Sequence, residues 1–456
     1  MESMTHHGDD YLQSTFLPRM VAGEWPGTMN LTEPDAGSDL AAVKTRAEAD
    51  GPHYRVSGQK IFITWGDHQM TDNIIHLVLA RLPDAPAGVK GISLFIVPKF
   101  LVNDDGSLGE RNSLKCLSVE HKLGIHASPT CVMEFKDAKG YLVGEANKGL
   151  AYMFTMMNHA RQGVGLQGLA ISERAYQQAV AYAKDRLQGT RSDGSRIPII
   201  EHPDVRRMLM LMKSGTEAMR AVALEASAEI DRAHYAGSDE ERQAHAARVE
   251  LLTPIVKGWL TELAQEMTSL NVQVHGGMGF IEETGAAQHY RDARILTIYE
   301  GTTGIQALDF IGRKTLANQG AHLAILLDEM QQSADHLADD DLAPLMKEHF
   351  QQALEAGRQA HAWVLEQAGQ DRALPGSVSV NFLLLFGYLS GGWMMARSAL
   401  KAQQLLADND GDPDYLKAKL VTARFYCEHL LPRALAHYQA LRAGSDSIMA
   451  LSNEQF

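Results

Sequence analysis

Three short segments of this 456-residue chain gather residue types that do chemistry. Tyr299-Glu300-Gly301-Thr302-Thr303 sets a carboxylate beside a glycine, shortly after Arg291-Asp292-Ala293-Arg294. A carboxylate so placed is a candidate general base, although a glutamate on a surface loop has the same appearance. Asn30-Leu31-Thr32-Glu33-Pro34-Asp35-Ala36-Gly37-Ser38-Asp39 is dense in Gly, Pro, Asp and Ser and predicts a tight loop. Its backbone N–H groups, with the Thr32 and Ser38 hydroxyls, suit an anion or the edge of a flat heterocycle; an ordinary loop is the alternative. His275-Gly276-Gly277-Met278-Gly279-Phe280 closes a long helical stretch. One glycine is enough for a left-handed cap. Three within four residues leave room for a ligand to approach the backbone.

Two other motifs carry no such promise. Gly163-Val164-Gly165-Leu166-Gln167-Gly168 is formally GxGxxG, but a dinucleotide fingerprint needs a strand before it. Here Tyr152 to Arg161 reads as helix, so close helix packing is the expectation. Asp408 to Asp412 has the acidic spacing of a calcium loop, yet Pro413 and Lys419 stand where Gly and Glu are required. A solvated turn is expected. No HExxH occurs, and no metal site is predicted.

The elements that position these residues change type along the chain. Tyr11, Leu12, Phe16, Leu17 and Met20 recur at helical spacing, as the end of a helical segment. Residues 50 to 145 read as β structure, with strands at Tyr54–Thr64, Ile74–Ala80, Gly91–Val97 and Thr130–Phe135. Turn clusters at Pro83–Gly88, Asn103–Gly109 and Lys136–Gly140 separate them, which suggests a small sandwich or barrel. From residue 147 the period is helical through 149–185, 203–235 and 302–318, with a loop at 189–196. Leu251, Leu252, Ile255, Trp259, Leu263, Met267 and Leu270 form an apolar stripe that Pro254 is expected to kink. Residues 320 to 456 continue as helices, with Asp339, Asp340 and Asp341 suited to a helix start.

Composition narrows the field. Lys+Arg 42 against Asp+Glu 56 leaves a net charge of −14, which disfavours nucleic acid. Three cysteines, Cys116, Cys131 and Cys427, are too few for a disulfide framework and fit a reducing cytoplasm. The apolar run Phe382–Met395 is shorter than the ~20 residues of a membrane span and predicts a buried core helix. The N-terminus lacks the pattern of a signal peptide.

Taken in order, Thr32-Glu-Pro-Asp-Ala-Gly-Ser-Asp39, Gly58-Gln-Lys-Ile-Phe-Ile-Thr64, Asp185-Arg186, Gln273-Val-His-Gly-Gly-Met-Gly-Phe280, Arg291-Asp292-Ala293 and Tyr299-Glu-Gly-Thr302 resemble the acyl-CoA dehydrogenase family of FAD flavoproteins. The resemblance covers about residues 10 to 318. The Thr190-to-Pro198 insertion, the EGTTGIQ form and the helical tail resemble the 3-methylmercaptopropionyl-CoA dehydrogenase subgroup. The resemblance implies an α+β, mostly helical fold. Residues 1–27 would be a remnant of the N-terminal helical domain and 28–145 the middle β-barrel or sandwich domain. Residues 146–318 would be a four-helix bundle, and 319–456 a helical C-terminal extension.

The resemblance also implies an activity. Glu300 would be the catalytic base of α,β-dehydrogenation of an acyl-CoA thioester, with electrons passed to an electron-transfer flavoprotein. Leu31, Thr32, Ser38, Phe62, Thr64, Arg186, Gln273, Gly276, Gly277 and Thr302 would bind FAD, which in the family lies between β domain and bundle. Ser38, Asn158, Arg161, Tyr299 and Gly301 would face the substrate. Asn158 stands where Asp is more usual, and Gly304 replaces a polar residue found in many members. A homodimer or homotetramer in the cytoplasm is implied. The alternative is a truncated, non-catalytic member acting as an assembly or regulatory subunit.

Overall fold

The computed structural model describes residues 1–337 and 343–456, without the side chains of Ala343 and Pro344. The expected helix start at Asp339–Asp341 lies outside the described residues. The chain forms two compact units, Met1–Ala160 and Arg161–Phe456.

The first unit opens with helices α1 (Glu2–His7) and α2 (Asp10–Val21). The Asp9 carboxylate accepts from Leu12 N at 2.9 Å and caps α2. Nine strands follow: β1 (Gly27–Asn30), β2 (Arg46–Asp50), β3 (His53–Thr64), β4 (Ile75–Arg81), β5 (Ile92–Pro98), β6 (Phe100–Val102), β7 (Leu108–Arg111), β8 (Leu114–Val119) and β9 (Thr130–Leu142). Seven of them form one sheet in the order β1-β4-β2-β3-β9-β5, with β8 on β9. Antiparallel pairing of β4 with β5, from Ile75↔Pro98 to Arg81↔Ile92, closes it into a small barrel. Val78, Ala80, Phe95 and Val97 join Val56, Met133 and Phe135 in one core. The alternate residues Ile75, Leu77, Leu79, Ile92, Leu94 and Ile96 join Met4, Leu12, Phe16 and Met153 in another. Both faces of β4 and β5 are therefore covered, which is why their sequences are continuously apolar instead of alternating.

Helix α3 (Gly149–Asp185) follows. The second unit continues with β10 (Leu187–Thr190), β11 (Arg196–Pro198), α4 (Pro203–Tyr235), α5 (Asp239–His275), α6 (Ala286–Ala293), α7 (Thr303–Leu308), α8 (Ala321–Asp335), α9 (Ala343–Gln367), α10 (Leu374–Ala407), α11 (Pro413–His429) and α12 (Arg433–Arg442). Ser238 and Glu241 form a reciprocal capping box at the start of α5. Buried side chains from Leu169 to Leu441 belong to one core, so helices on both sides of residue 318 share it. Helix α10 has an 18-residue window of mean hydropathy 1.4 that is 83% buried. Its Gly387 and Gly391 lie against the Trp259 ring, where a Cβ would collide. It is the core helix expected from Phe382–Met395.

Several expectations are corrected. Lys136–Gly140 is no turn but the middle of β9, where the register shifts against β3 and Asp137 adopts φ +53°. The Ser57 hydroxyl accepts from Asp137 N at 2.9 Å and supports this bulge. The loop at 189–196 belongs to an antiparallel hairpin of β10 and β11. The helix expected over 302–318 is broken into α7, a π turn at Asp309–Arg313 and a 3₁₀ turn at Leu316–Asn318. The GxGxxG segment lies inside α3: a Cβ on Gly165 would sit 2.5 Å from Val256 Cγ1, the close helix packing expected. Asp412 caps α11, and Asp408–Asp412 is the turn before it.

Candidate active site

In the first unit the Thr32–Asp39 segment is a tight loop clamped to β3. Glu33 N and Ala36 O, and Ala36 N and Glu33 O, pair at 3.0 Å. The buried Glu33 carboxylate meets Lys60 Nζ at 2.8 Å and accepts from Lys44 N at 2.7 Å and Thr45 N at 3.0 Å. Burial opposes ionisation of Glu33, but Lys60 and these donors hold its carboxyl below the usual range. Lys60 Nζ also donates to Leu31 O at 2.9 Å, and Ile61 N to Thr32 O at 3.0 Å. Leu31 and Thr32 are thereby fixed beside Phe62 and Thr64.

Phe62 owes its direction to a second bulge in β3. Lys60 pairs with Met133 but Ile63 with Cys131, so one extra residue is accommodated. Phe62 takes up the excess with φ +61° and is 60% exposed. Left-handed backbone is rare for an aromatic residue and clusters at functional sites. Thr64 and Ser38 are exposed as well. This half therefore offers free hydroxyls and an exposed ring beside an ordered loop.

In the second unit Glu300 sits in the turn before α7 with φ +54°, followed by Gly301 at φ +88°. Gln306 is wholly buried, and its Nε2 donates to the carbonyls of both Glu300 and Gly301 at 3.3 Å. Thr302 Oγ1 accepts from Ile305 N and caps α7, while Thr303 Oγ1 donates to Glu262 at 2.5 Å. Burial raises the Glu300 pKa, opposed by the charges of Arg161 and Lys257. Burial likewise pushes Tyr299 up to about 12; its hydroxyl donates to Gln167. Arg161 is buried and paired with Asp309 at 3.2 Å. Asn158 is exposed on α3.

Arg186 and Gln273 lie at the C-terminal ends of α3 and α5, both exposed. Tyr182 stacks on His275 at 4.2 Å, and Gln178 accepts from Asn271 and donates to Thr284 O at 2.6 Å. These contacts hold the two ends together. Gly276 has φ +59°, and both Gly276 and Gly277 face open space. Sequence reasoning did not single out Glu33, Lys60, Tyr182, Lys257 or Gln306. Glu33 and Lys60 lie within the motifs quoted, and Lys257 lies inside the α5 apolar stripe.

Family models match three stretches of the chain. The acyl-CoA dehydrogenase middle domain matches residues 28–138, the acyl-CoA dehydrogenase C-terminal domain 147–316 and the acetyl-CoA dehydrogenase C-terminal-like domain 309–452. A 3-methylmercaptopropionyl-CoA dehydrogenase of Ruegeria pomeroyi is 48% identical over 99% of this chain and 77% of its own length. This chain is an acyl-CoA dehydrogenase. It belongs to a family of FAD-binding oxidoreductases that act on a CH–CH group. A butyryl-CoA dehydrogenase of Syntrophomonas wolfei is 37% identical over 97% of the chain and 75% of its own length. The solved acyl-CoA dehydrogenase from Bacillus anthracis, complexed with FAD, shares the fold at TM-score 0.76 and 23% identity, covering 99% of this chain and 73% of that one.

Proposed function

We propose that this acyl-CoA dehydrogenase removes the α-proton of an acyl-CoA thioester through Glu300 and yields the trans-2-enoyl-CoA. The observation that carries this reading is the Glu300 turn. A half-buried carboxylate with a raised pKa is held in left-handed backbone by a fully buried amide, Gln306. A base near its substrate's acidity is what proton abstraction next to a thioester needs.

The residues fit a flavin. Thr32, Ser38 and Thr64 supply hydroxyls, and Phe62 supplies a flat apolar ring in the first unit. In the second unit Arg186 and Gln273 are exposed donors, Gly276 and Gly277 leave their backbone open, and the Thr302 hydroxyl proton is uncommitted. Leu31, Thr32, Ser38, Phe62, Thr64, Arg186, Gln273, Gly276, Gly277 and Thr302 would hold FAD. Bound FAD supplies the acceptor for the β-hydride. Tyr299 and Gly301 flank the base, Arg161 contributes positive charge beside it, and the exposed Ser38 and Asn158 would take the CoA side.

The 48% identity to the Ruegeria enzyme supports 3-methylmercaptopropionyl-CoA as substrate and a place in dimethylsulfoniopropionate degradation. The proposed electron acceptor is an electron-transfer flavoprotein, and the three scattered cysteines support a cytoplasmic location. The exposed Met278, Phe280 and Ile281 beside Gly276–Gly277 support a homo-oligomer. The division 1–27, 28–145, 146–318 and 319–456 is supported by the bounds of the three family matches.

The test is anaerobic flavin bleaching by a panel of acyl-CoAs. Rapid bleaching by 3-methylmercaptopropionyl-CoA, lost in Glu300→Gln with FAD retained, is expected. Bleaching by butyryl-CoA alone would overturn the substrate, and an active Glu300→Gln enzyme the base.

A further inference from the structure

Lys257 stands on α5 with no solvent exposure, and its Nζ has no hydrogen-bond partner among the described residues. An ammonium buried in this way is costly unless something compensates it. Its surroundings indicate what does. The next residue, Gly258, lies where a Cβ would come within 3.6 Å of Gln306 Cβ. Gln306 is the side chain that holds the carbonyls of Glu300 and Gly301. Further along α5, Glu262 accepts from Thr303, the first residue of α7. This stretch of α5 is therefore the support of the Glu300 turn.

The charged groups acting on Lys257 are the carboxylates of Glu262 and Glu300 and the Arg161 guanidinium. Those acting on Glu300 are Arg161 and Lys257, with Tyr299 a neutral phenol beside it. Arg161 is paired with Asp309, which also meets Arg313 at 2.6 Å. Glu262 is engaged by Thr303. No hydrogen bond to the Glu300 carboxylate is found among the described residues.

Resting on Glu300 as the base, we propose that Lys257 is an electrostatic positioning residue whose buried ammonium keeps Glu300 ionised and ready to accept the substrate proton. Burial alone favours the neutral acid, and a protonated Glu300 has no capacity for a second proton. A cation in the same low-dielectric surroundings restores the carboxylate. The Arg161 guanidinium acts on Glu300 in the same direction and ahead of Lys257, while also pairing with Asp309 at 3.2 Å. Burial draws the Lys257 pKa down to about 8, so the ammonium persists at neutral pH.

The experiment compares holoenzymes carrying Lys257→Met, Lys257→Arg and Glu300→Gln. The methionine matches the lysine stem and removes the charge. The expected result is a Met variant that melts no lower than the parent at pH 7. Its acidic limb of kcat/KM moves up by about one pH unit, so that the rate falls about tenfold at pH values below the parent's midpoint, with KM little changed. Lys257→Arg regains most of that rate. Lys257→Gln, read by the same limb, serves if the Met variant does not fold. A neutral variant with the parent's acidic limb overturns the proposal, as does a rate loss that leaves the limb in place. Glu300→Gln separates the two readings. An active Gln enzyme overturns the base assignment itself. An inactive one, beside a Lys257→Met enzyme with the parent's limb, overturns only the role of Lys257.

Discussion

Lys60 Nζ lies 2.8 Å from Glu33 Oε1, with the lysine side chain 0% and the glutamate 5% exposed. A strand interior and the Thr32–Asp39 loop are thus joined by a buried ion pair. Because Lys60 also holds Leu31 O, the pair sets where the loop's hydroxyls and backbone stand relative to Phe62.

Removing one partner exposes the cost of the other. Lys60→Met leaves the Glu33 carboxylate buried beside three donors reduced to two, and losses of this kind run to about 3–5 kcal/mol. Denaturant unfolding of the holoenzyme is expected to show a drop of that size, together with loss of FAD on gel filtration. The double variant Glu33→Gln with Lys60→Met is expected to recover part of the stability. A single variant as stable as the parent contradicts the clamp.

Gly301→Ala is expected to damage catalysis more than folding. Left-handed backbone costs a non-glycine residue about 1–2 kcal/mol, and the new Cβ would stand 2.6 Å from Gln306 Nε2. Relief requires Gln306 to release the carbonyls of Glu300 and Gly301. The expected outcome is kcat lowered more than tenfold, as for loss of a positioned base, with a melting temperature near the parent's. A parental kcat would show that the turn tolerates the shift.

Gly165→Ala tests the packing of α3 on α5. Its Cβ would stand 2.5 Å from Val256 Cγ1 and 2.8 Å from Val256 O, against a helix backbone that has little freedom to yield. Overpacking of this sort costs about 1–3 kcal/mol. A lowered melting temperature is expected; an unchanged melting temperature argues against the close approach.

His76 gives the fold an acid limit. It is fully buried, donates to or accepts from Thr28 Oγ1 at 2.7 Å through Nδ1, and burial draws its pKa down to about 3. The unfolded chain takes up this proton near pH 6.5 and the folded chain does not until about pH 3. Stability is therefore complete above pH 6.5 and falls as the pH drops toward 3. His76→Gln is expected to flatten that part of the stability–pH curve; a slope equal to the parent's would assign it to other groups.

Periodicity made much of the fold legible. Helices α3 and α4 were expected at their observed bounds, and β3, β4 and β5 within a residue or two, because long runs of one period leave little choice. Strand β9 was cut short because Lys136-Asp137-Ala138-Lys139-Gly140 has the composition of a turn. Only the Ser57 contact across the sheet shows it to be a bulge. The site divided in the same way. Glu300 and the loop at Thr32–Asp39 stand out by residue type, whereas the Glu33–Lys60 pair joins residues from different elements. Lys257 was hidden because a lysine in an apolar helix stripe is read as reaching for solvent, and here it does not.

The seating of Trp259 against Gly387 and Gly391 also bears on how the chain is made. Synthesis delivers α5 well before α10 exists, so the indole and the apolar stripe around it must wait for a helix that comes much later. Until then the nascent chain carries an open apolar seam of the kind that draws chaperones or promotes aggregation. A contact so distant in sequence also closes slowly. Ribosome stalling or truncation ahead of residue 387 would therefore release a polypeptide containing the whole Glu300 turn yet missing the helix that covers Trp259.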